Sequence, residues 1–291
     1  MQLQAGEQAM KERFLMCAPR HFEVAYVINP WMKGNIARGS NPAAAAQWEA
    51  LLTLLRRHAD VDCISAEPGV PDLVFTANAG LVLDRRVLLS AFRHPERRPE
   101  EAYFSRWFSS QGFDVLTMPD GVYFEGAGDA LFDSRLPLLW MGYGHRTDDA
   151  AAAVIATQIN VDVVPLRLVN PHFYHLDTCL CPLQGGVLLY YPDAFDRASQ
   201  QRIVELVPPE LRIAVDVGDA VAFACNAVNT GRHVIMNQAS EALFHTLEEH
   251  GYQVHQTPLS EFMKAGGSAK CLTLKLSEAR LPVSTTPAVL A

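Results

Sequence analysis

The sequence predicts an α/β fold in which five small blades close into a pseudo-symmetric, five-bladed α/β-propeller. Three observations carry this expectation. Five short runs recur at nearly even spacing: PDLVFTAN, YFEGAGD, YHLDTCLC, FACN and AGGSAKC, ending at Asn78, Asp129, Cys181, Asn226 and Cys271. Between them a strand–loop–helix–strand pattern repeats, and internal repetition of that kind takes precedence over a generic fold assignment. Alternating strands and helices otherwise read as an open doubly wound sheet, but no Gly-x-Gly-x-x-Gly follows the first strand.

The elements follow in order. Residues 14–18 read as a strand, 43–58 as a helix and 62–65 as a strand, with a long loop over 19–42. Residues 85–91 (RRVLLSA) hold a β-branched and apolar run that reads as a strand. Residues 100–111 carry aromatic and small apolar side chains at helical spacing, and Gly112 supplies a C-terminal stop. A strand follows over 113–118. The same unit returns as 138–141, 148–159 and 161–166, then as 187–191, 195–206 and 212–217. Its last copy is 234–237, 241–250 closed by Gly251, and 252–256. The whole chain, 1–291, is expected to form one catalytic domain with loose tails over 1–12 and 278–291.

Composition narrows the function. A hydrophobic content of 49% with 19% charged residues is that of a soluble chain with a sizeable core. A formal charge of −8 argues against nucleic acid or an anionic membrane as partner. No stretch approaches the roughly 20 apolar residues that span a bilayer, and the N-terminus lacks a signal-peptide core. Six cysteines without a small secreted framework read as reduced thiols, hence a cytoplasmic setting. Homo-oligomerisation stays open.

If the runs meet at the ring centre, Glu125, His175 and Cys271 converge as a nucleophile, base and orienter set. Read as a strand, YHLDTCLC puts His175, Asp177, Cys179 and Cys181 on one face. A zinc site built from His172, His175, Cys179 and Cys181 competes with this reading, but the spacing is poor for one. No metal and no cofactor is assigned. The glycines before Cys271 permit close approach of a ligand to the backbone. A free thiol is weakly nucleophilic at neutral pH, so Cys271 needs a cation, from His175 or from the substrate. Glu125 or Asp129 orients His175, and Asp72 and Asp177 remain to accept a cation. Asn29, Arg97 and Arg146 lie on the strand-to-helix loops, and are expected on one rim where arginines capture a carboxylate. A small molecule with a carboxylate at one end and a guanidinium or amine at the other fits this set.

The segments FTAN, EGAGD, HLD and the late Cys271 resemble those of the guanidino-group-modifying superfamily, which comprises arginine deiminases, dimethylarginine hydrolases and amidinotransferases. The resemblance runs from Phe14 to Leu276 and implies the five-bladed pentein fold. Where a deiminase carries a guanidinium-binding aspartate, this chain has Asn78. Together with FEGAGDAL, FYHLDTCLCPL and KAGGSAKCLTL, that difference resembles the arginine dihydrolase branch. The branch converts arginine to ornithine, carbon dioxide and two ammonia. The chain is expected to be too short for the cyclodeaminase part of the bifunctional members. The resemblance implies Cys271, His175, Glu125 and Asn78 as the catalytic set. It implies Asn29, Asp72, Phe75, Asn78, Arg97, Asp129, Arg146 and Asp177 as substrate contacts. The alternatives are a deiminase that stops at citrulline, a dimethylarginine dimethylaminohydrolase, and a pentein-fold binding factor without catalysis.

Overall fold

A computed structural model describes residues 11–37 and 41–278. Its strands make five three-stranded sheets, one per predicted blade. In the first, β1 (Arg13–Cys17) runs parallel to β2 (Asp60–Ile64), joined through α1 (Asn41–Arg56). The second contains β3 (Gly80–Leu83), β4 (Arg86–Leu89), α2 (Pro99–Ser110) and β5 (Asp114–Leu116). The third contains β6 (Ala130–Phe132), β7 (Leu138–Tyr143), α3 (Ala151–Ile155) and β8 (Asp162–Arg167). The fourth contains β9 (Leu180–Pro182), β10 (Leu188–Tyr190), α4 (Arg197–Leu206) and β11 (Arg212–Ala214). After a short α5 (Val217–Val221), the fifth has β12 (Val228–Thr230), β13 (His233–Met236), α6 (Glu241–Glu249) and β14 (Gln253–Gln256). The chain then passes through α7 (Ser260–Met263) and returns as β15 (Leu274–Lys275), which pairs antiparallel with β1. The last segment of the chain thus completes the first blade.

Each blade has one logic. A central strand pairs antiparallel with the inner strand and parallel with the outer one, as β4 does with β3 and β5. The parallel partner needs a crossover, and the helix supplies it. Central strands are buried almost throughout: Val87, Leu88 and Leu89 of β4, and Leu188, Leu189 and Tyr190 of β10. Helices cover the sheets with large apolar side chains, Phe104 and Phe108 from α2 being fully buried.

The predicted central strands, outer strands and helices are all present, with ends shifted by a few residues. The helix expected over 148–159 is α-helical only in α3 and continues as a π-helical turn over Ala156–Asn160. One expectation fails. YHLDTCLC is not a strand: Leu176–Thr178 is a 3-10 turn, and β9 starts only at Leu180. Cys179 N–H donates to Leu176 O, and Thr178 Oγ1 donates to the His175 carbonyl. These local bonds close a tight turn where an extended chain would have alternated. The same turn recurs at Thr76–Ala79 and Gly126–Gly128, so it is the structural form of the repeated run.

The turns hold the ring together. Cys271 O accepts from Ala77 N at 3.1 Å, and Asn78 Nδ2 donates to Glu125 O at 3.0 Å. Leu176 N donates to Asp129 Oδ1 at 3.0 Å, Asn226 Nδ2 to Asp177 O at 2.9 Å, and Lys270 N to Asn226 O at 3.1 Å. Each bond crosses one seam between neighbouring blades, and together they go once round the axis. The loose-tail expectation falls mostly outside the described residues. Within them, Glu12 O accepts from Asp60 N and Glu278 O from Asp84 N, so both ends are held at these points. Among the described residues no helix is long and apolar enough to cross a membrane.

Candidate active site

The ring of turns brings the predicted residues to one small pocket. Asn29, Asp72, Phe75, Asn78, Arg97, Arg146, His175 and Cys271 all line it. Glu125 and Asp177 stand directly behind these residues, bonded to His175 and Cys271 respectively, and Asp129 lies behind the His175 turn. All of these polar groups are buried.

Of the two acids considered for His175, Glu125 is the one it meets, with Nε2 2.7 Å from Oε2. Glu125 also accepts from Arg146 Nη1 at 3.0 Å. Burial works against its charge, but the Arg146 guanidinium and the His175 hydrogen bond prevail, and its carboxyl sits well below the ordinary range. Burial acts on His175 too and outweighs the attraction of Glu125, lowering it to about 4. At neutral pH the pair is therefore a carboxylate and a neutral imidazole. The carboxylate holds the proton on Nε2, which leaves Nδ1 as the basic nitrogen. Asp129 lies 4.0 Å from His175, and is instead occupied by Leu176 N and by Thr147 Oγ1 at 2.7 Å. It braces the His175 turn and does not line the pocket.

Cys271 Sγ is 3.3 Å from Asp177 Oδ2. Burial, reinforced by this carboxylate, holds the thiol well above its ordinary value. Burial also pushes Asp177 up to about 7, against the nearby charge of Lys270. With His175 neutral, none of the groups acting most strongly on Cys271 is a cation, Lys270 acting instead on Asp177. A thiol and a carboxyl buried side by side need a bound cation to ionise together. The turn that presents Cys271 requires glycine: Gly266 has φ +86°, and a Cβ there would fall 2.8 Å from Tyr174 Oη and 3.0 Å from Asn29 Oδ1.

Asn78 is fixed on both sides. Its Oδ1 accepts from Arg97 Nη1 at 2.9 Å, and its Nδ2 donates to Glu125 O. The arginine, a pure donor, sets which end of the amide faces it. Gly128 is needed opposite, since a Cβ there would lie 2.3 Å from Asn78 Nδ2.

The arginines differ from expectation. They are not an open rim. Arg97 makes a bidentate pair with Glu100, both bonds 2.8 Å, and Arg146 bonds Glu125 and Ile28 O while lying over the Tyr174 ring. Two guanidinium groups this deeply buried require carboxylate partners, and Glu100 and Glu125 provide them. Asn29 is also engaged: its Oδ1 accepts from Trp31 N and Met32 N, and its Nδ2 donates to Ala265 O. Asp72 keeps capacity. Its Oδ2 accepts from Tyr26 Oη at 2.9 Å, while its buried Oδ1 has no partner. Buried polar atoms are normally satisfied, so this oxygen is an open position for a ligand cation.

The sequence reading did not assign four residues that the geometry adds. Glu100 neutralises Arg97, Tyr26 bonds Asp72, Tyr174 Oη donates to Gly266 O, and Asn226 binds the Cys271 turn. Asn226 had a signal, since it ends one of the five runs. The competing zinc set does not assemble: Cys179 Sγ contacts the carbonyls of His175 and Leu176, and Cys181 Sγ that of Ala227. All six cysteines are free.

Comparison with known proteins gives the same picture. A family model for eukaryotic N,N dimethylarginine dimethylhydrolase matches residues 30–278. The chain is 53% identical over 266 residues to the bifunctional arginine dihydrolase/ornithine cyclodeaminase AgrE of Nostoc sp., covering 91% of this chain and 38% of that protein. It is 40% identical over 265 residues to the N(G),N(G)-dimethylarginine dimethylaminohydrolase of Mycobacterium tuberculosis, covering 91% of this chain and 85% of that one. The crystal structure of the N-terminal domain of ArgZ, an arginine dihydrolase of cyanobacteria, superposes with a TM-score of 0.92 at 52% identity over 93% of this chain and 100% of that domain. That structure is of a cysteine-to-serine variant bound to substrate. An asparagine-to-serine variant of the same domain, also at TM-score 0.92, is covalently bound to a reaction intermediate. With the five-bladed ring, the Cys271–His175–Glu125 set and an asparagine at position 78, the chain belongs to the arginine dihydrolase branch of the guanidino-group-modifying superfamily.

Proposed function

We propose that this chain hydrolyses L-arginine to L-ornithine, carbon dioxide and two ammonia, with citrulline retained as an intermediate. The observation that carries the reading is Asn78, an amide held in a fixed orientation at the pocket that also contains Cys271. The likeness to AgrE and to the ArgZ domain supports it.

The substrate guanidinium enters beside Asp177 and Asp72 Oδ1. Its charge favours the carboxylate of Asp177 and the thiolate of Cys271 together, so the nucleophile ionises only when substrate is present. Cys271 Sγ adds to the guanidinium carbon. His175 takes up a proton and delivers it to the departing ammonia, leaving a covalent thiouronium on sulfur. His175 then accepts a proton from water, whose oxygen adds to the same carbon, and the C–S bond breaks to give citrulline. Glu125 keeps the imidazole in place throughout and stabilises its charged form.

Citrulline is neutral at the reacting end, so a pocket of carboxylates alone has little hold on it. Asn78 retains a second N–H and a second lone pair beyond its two protein bonds. The lone pair accepts from arginine and the N–H donates to the ureido oxygen. Cys271 then attacks the ureido carbon, ornithine departs with its nitrogen protonated, and the carbamoyl thioester hydrolyses to carbamate, which yields carbon dioxide and the second ammonia. Arg97, Arg146 and Asn29 border the amino-acid end of the substrate. The reduced cysteines accord with a cytoplasmic enzyme.

A dimethylarginine dimethylaminohydrolase is the second reading, favoured by the Mycobacterium tuberculosis relative. Competition separates the two. Equal concentrations of 13C-labelled arginine and unlabelled Nω,Nω-dimethylarginine are supplied, because both would leave the same thiouronium on Cys271, and intact-protein mass spectrometry reads the label in the adduct while the released amines are identified. The proposal predicts an arginine-derived adduct and no dimethylamine; dimethylamine as the main product reverses the assignment.

A further inference from the structure

We propose that His58, His233 and His255 form a binding site for one divalent transition-metal ion of the zinc class, at the seam between the first and fifth blades. The site takes no part in the arginine chemistry: none of the three residues lines the catalytic pocket. It also differs from the zinc set considered in the YHLDTCLC run, since these are the residues whose ligand atoms converge among those described.

The fold assembles the site from two blades. In the fifth, β13 and β14 are parallel, with His233 opposite Gln253 and Ile235 opposite His255. Residues two apart share a face, so His233 and His255 are diagonal neighbours on the same side. His233 Nδ1 lies 3.1 Å from His255 Nε2. From the first blade, His58 follows the end of α1, its N–H bonded to Leu55 O. Its ring stacks on His233 with centroids 3.6 Å apart, and lies 5.4 Å from His255. One nitrogen from each ring falls within 4.8 Å of the other two.

Three features point to a ligand. His58 Nε2 is buried without a hydrogen-bond partner, and a buried ring nitrogen normally has one. Two zinc-bound imidazole nitrogens at roughly 2.0–2.1 Å from the metal sit about 3.3 Å apart at a tetrahedral angle, close to the His233–His255 separation. To bind the same ion, His58 would turn out of its stack on His233, its nitrogen already lying within 4.8 Å of the other two. Finally, the donors are all imidazoles, which suit zinc, nickel and copper and not the oxygen-seeking magnesium and calcium. Three ligands leave a fourth position for water. The bound ion would fasten the end of α1 to the last sheet.

The test uses the Cys271→Ser variant, so that no metal is held by the catalytic thiol. Chelator-treated protein is mixed with zinc sulfate, gel-filtered and assayed for zinc, and its thermal midpoint is measured with and without the ion. The proposal predicts about one zinc per chain and a raised midpoint, because an ion that binds only the folded state stabilises it. Adding His233→Ala or His255→Asn should abolish both effects, with circular dichroism reporting that each variant is folded. Should His233→Ala fail to fold, His58→Gln, at the partly exposed end of α1, makes the same comparison. Absence of retained zinc, or equal zinc in the histidine variants, overturns the proposal.

Discussion

Asn226 holds Cys271 from two sides: its Nδ2 lies 3.1 Å from the sulfur, and its Oδ1 accepts the Cys271 N–H at 3.2 Å. The same Oδ1 accepts Ser268 N, and the same Nδ2 donates to Asp177 O. One amide therefore sets the turn, the sulfur and the neighbouring acid. Asn226→Ala should lower kcat for arginine by about 10- to 100-fold, the value of one hydrogen bond to a charged group at ~1.5–3 kcal/mol. The KM should change less. Steady-state kinetics measure this, and a variant with unchanged kcat removes Asn226 from the mechanism.

Asp177 makes substrate binding depend on pH. Burial pushes it up to about 7, well above the usual carboxylate range. Below that value the free enzyme holds it protonated and neutral; above it the carboxylate is ready for the guanidinium. Arginine affinity should therefore rise with pH, the Kd of the Cys271→Ser variant falling about tenfold from pH 6 to pH 8. Calorimetry at several pH values gives the slope. Adding Asp177→Asn should flatten it; a slope that persists assigns the proton to another group.

Asn78→Asp removes the N–H that retains the ureido intermediate and places a carboxylate beside Glu125 O. The variant should still deiminate arginine, since Arg97 accepts either side chain as partner. The citrulline-to-ornithine ratio should rise by about 5- to 13-fold, as loss of one hydrogen bond of ~1–1.5 kcal/mol implies. Amino-acid analysis of the products decides it: unchanged ornithine output would show that Asn78 does not govern the second round.

Glu100 supports the pocket from behind. Its bidentate bond to Arg97 neutralises a guanidinium that is almost fully buried. Removing one partner of a buried pair leaves an uncompensated charge, at a cost of about 3–5 kcal/mol. Glu100→Gln should lower the stability measured by urea unfolding by about 3 kcal/mol and raise the KM for arginine through a misplaced Asn78. A stability change under about 1 kcal/mol would mean that Asp72, 3.9 Å from Arg97, suffices as counter-ion.

Much of the fold is legible in the sequence because every blade repeats one pattern, so each copy corroborates the others. The convergence of Asn78, Glu125, His175 and Cys271 on one small region is legible for the same reason: each ends or interrupts a recurring run. What the sequence hides is local geometry. YHLDTCLC alternates like a strand, yet His175 and Asp177 face different partners, Glu125 and Cys271, because backbone bonds close a 3-10 turn there. Contacts between distant residues are hidden too. Nothing near Glu100 marks it as different from Glu101, although only the former is sealed in the core against Arg97. The histidine cluster is hidden most completely, since His58 and His233 are brought together only when the ring closes.

The central claim is that arginine is carried through two hydrolytic rounds at one cysteine. Its most direct test is the product stoichiometry of the purified protein with L-arginine, following ornithine, citrulline and ammonia over a full time course. The account predicts two ammonia for each ornithine, with no free citrulline accumulating and no turnover by Cys271→Ser. Citrulline released with one ammonia and no ornithine would contradict it and make the enzyme a deiminase.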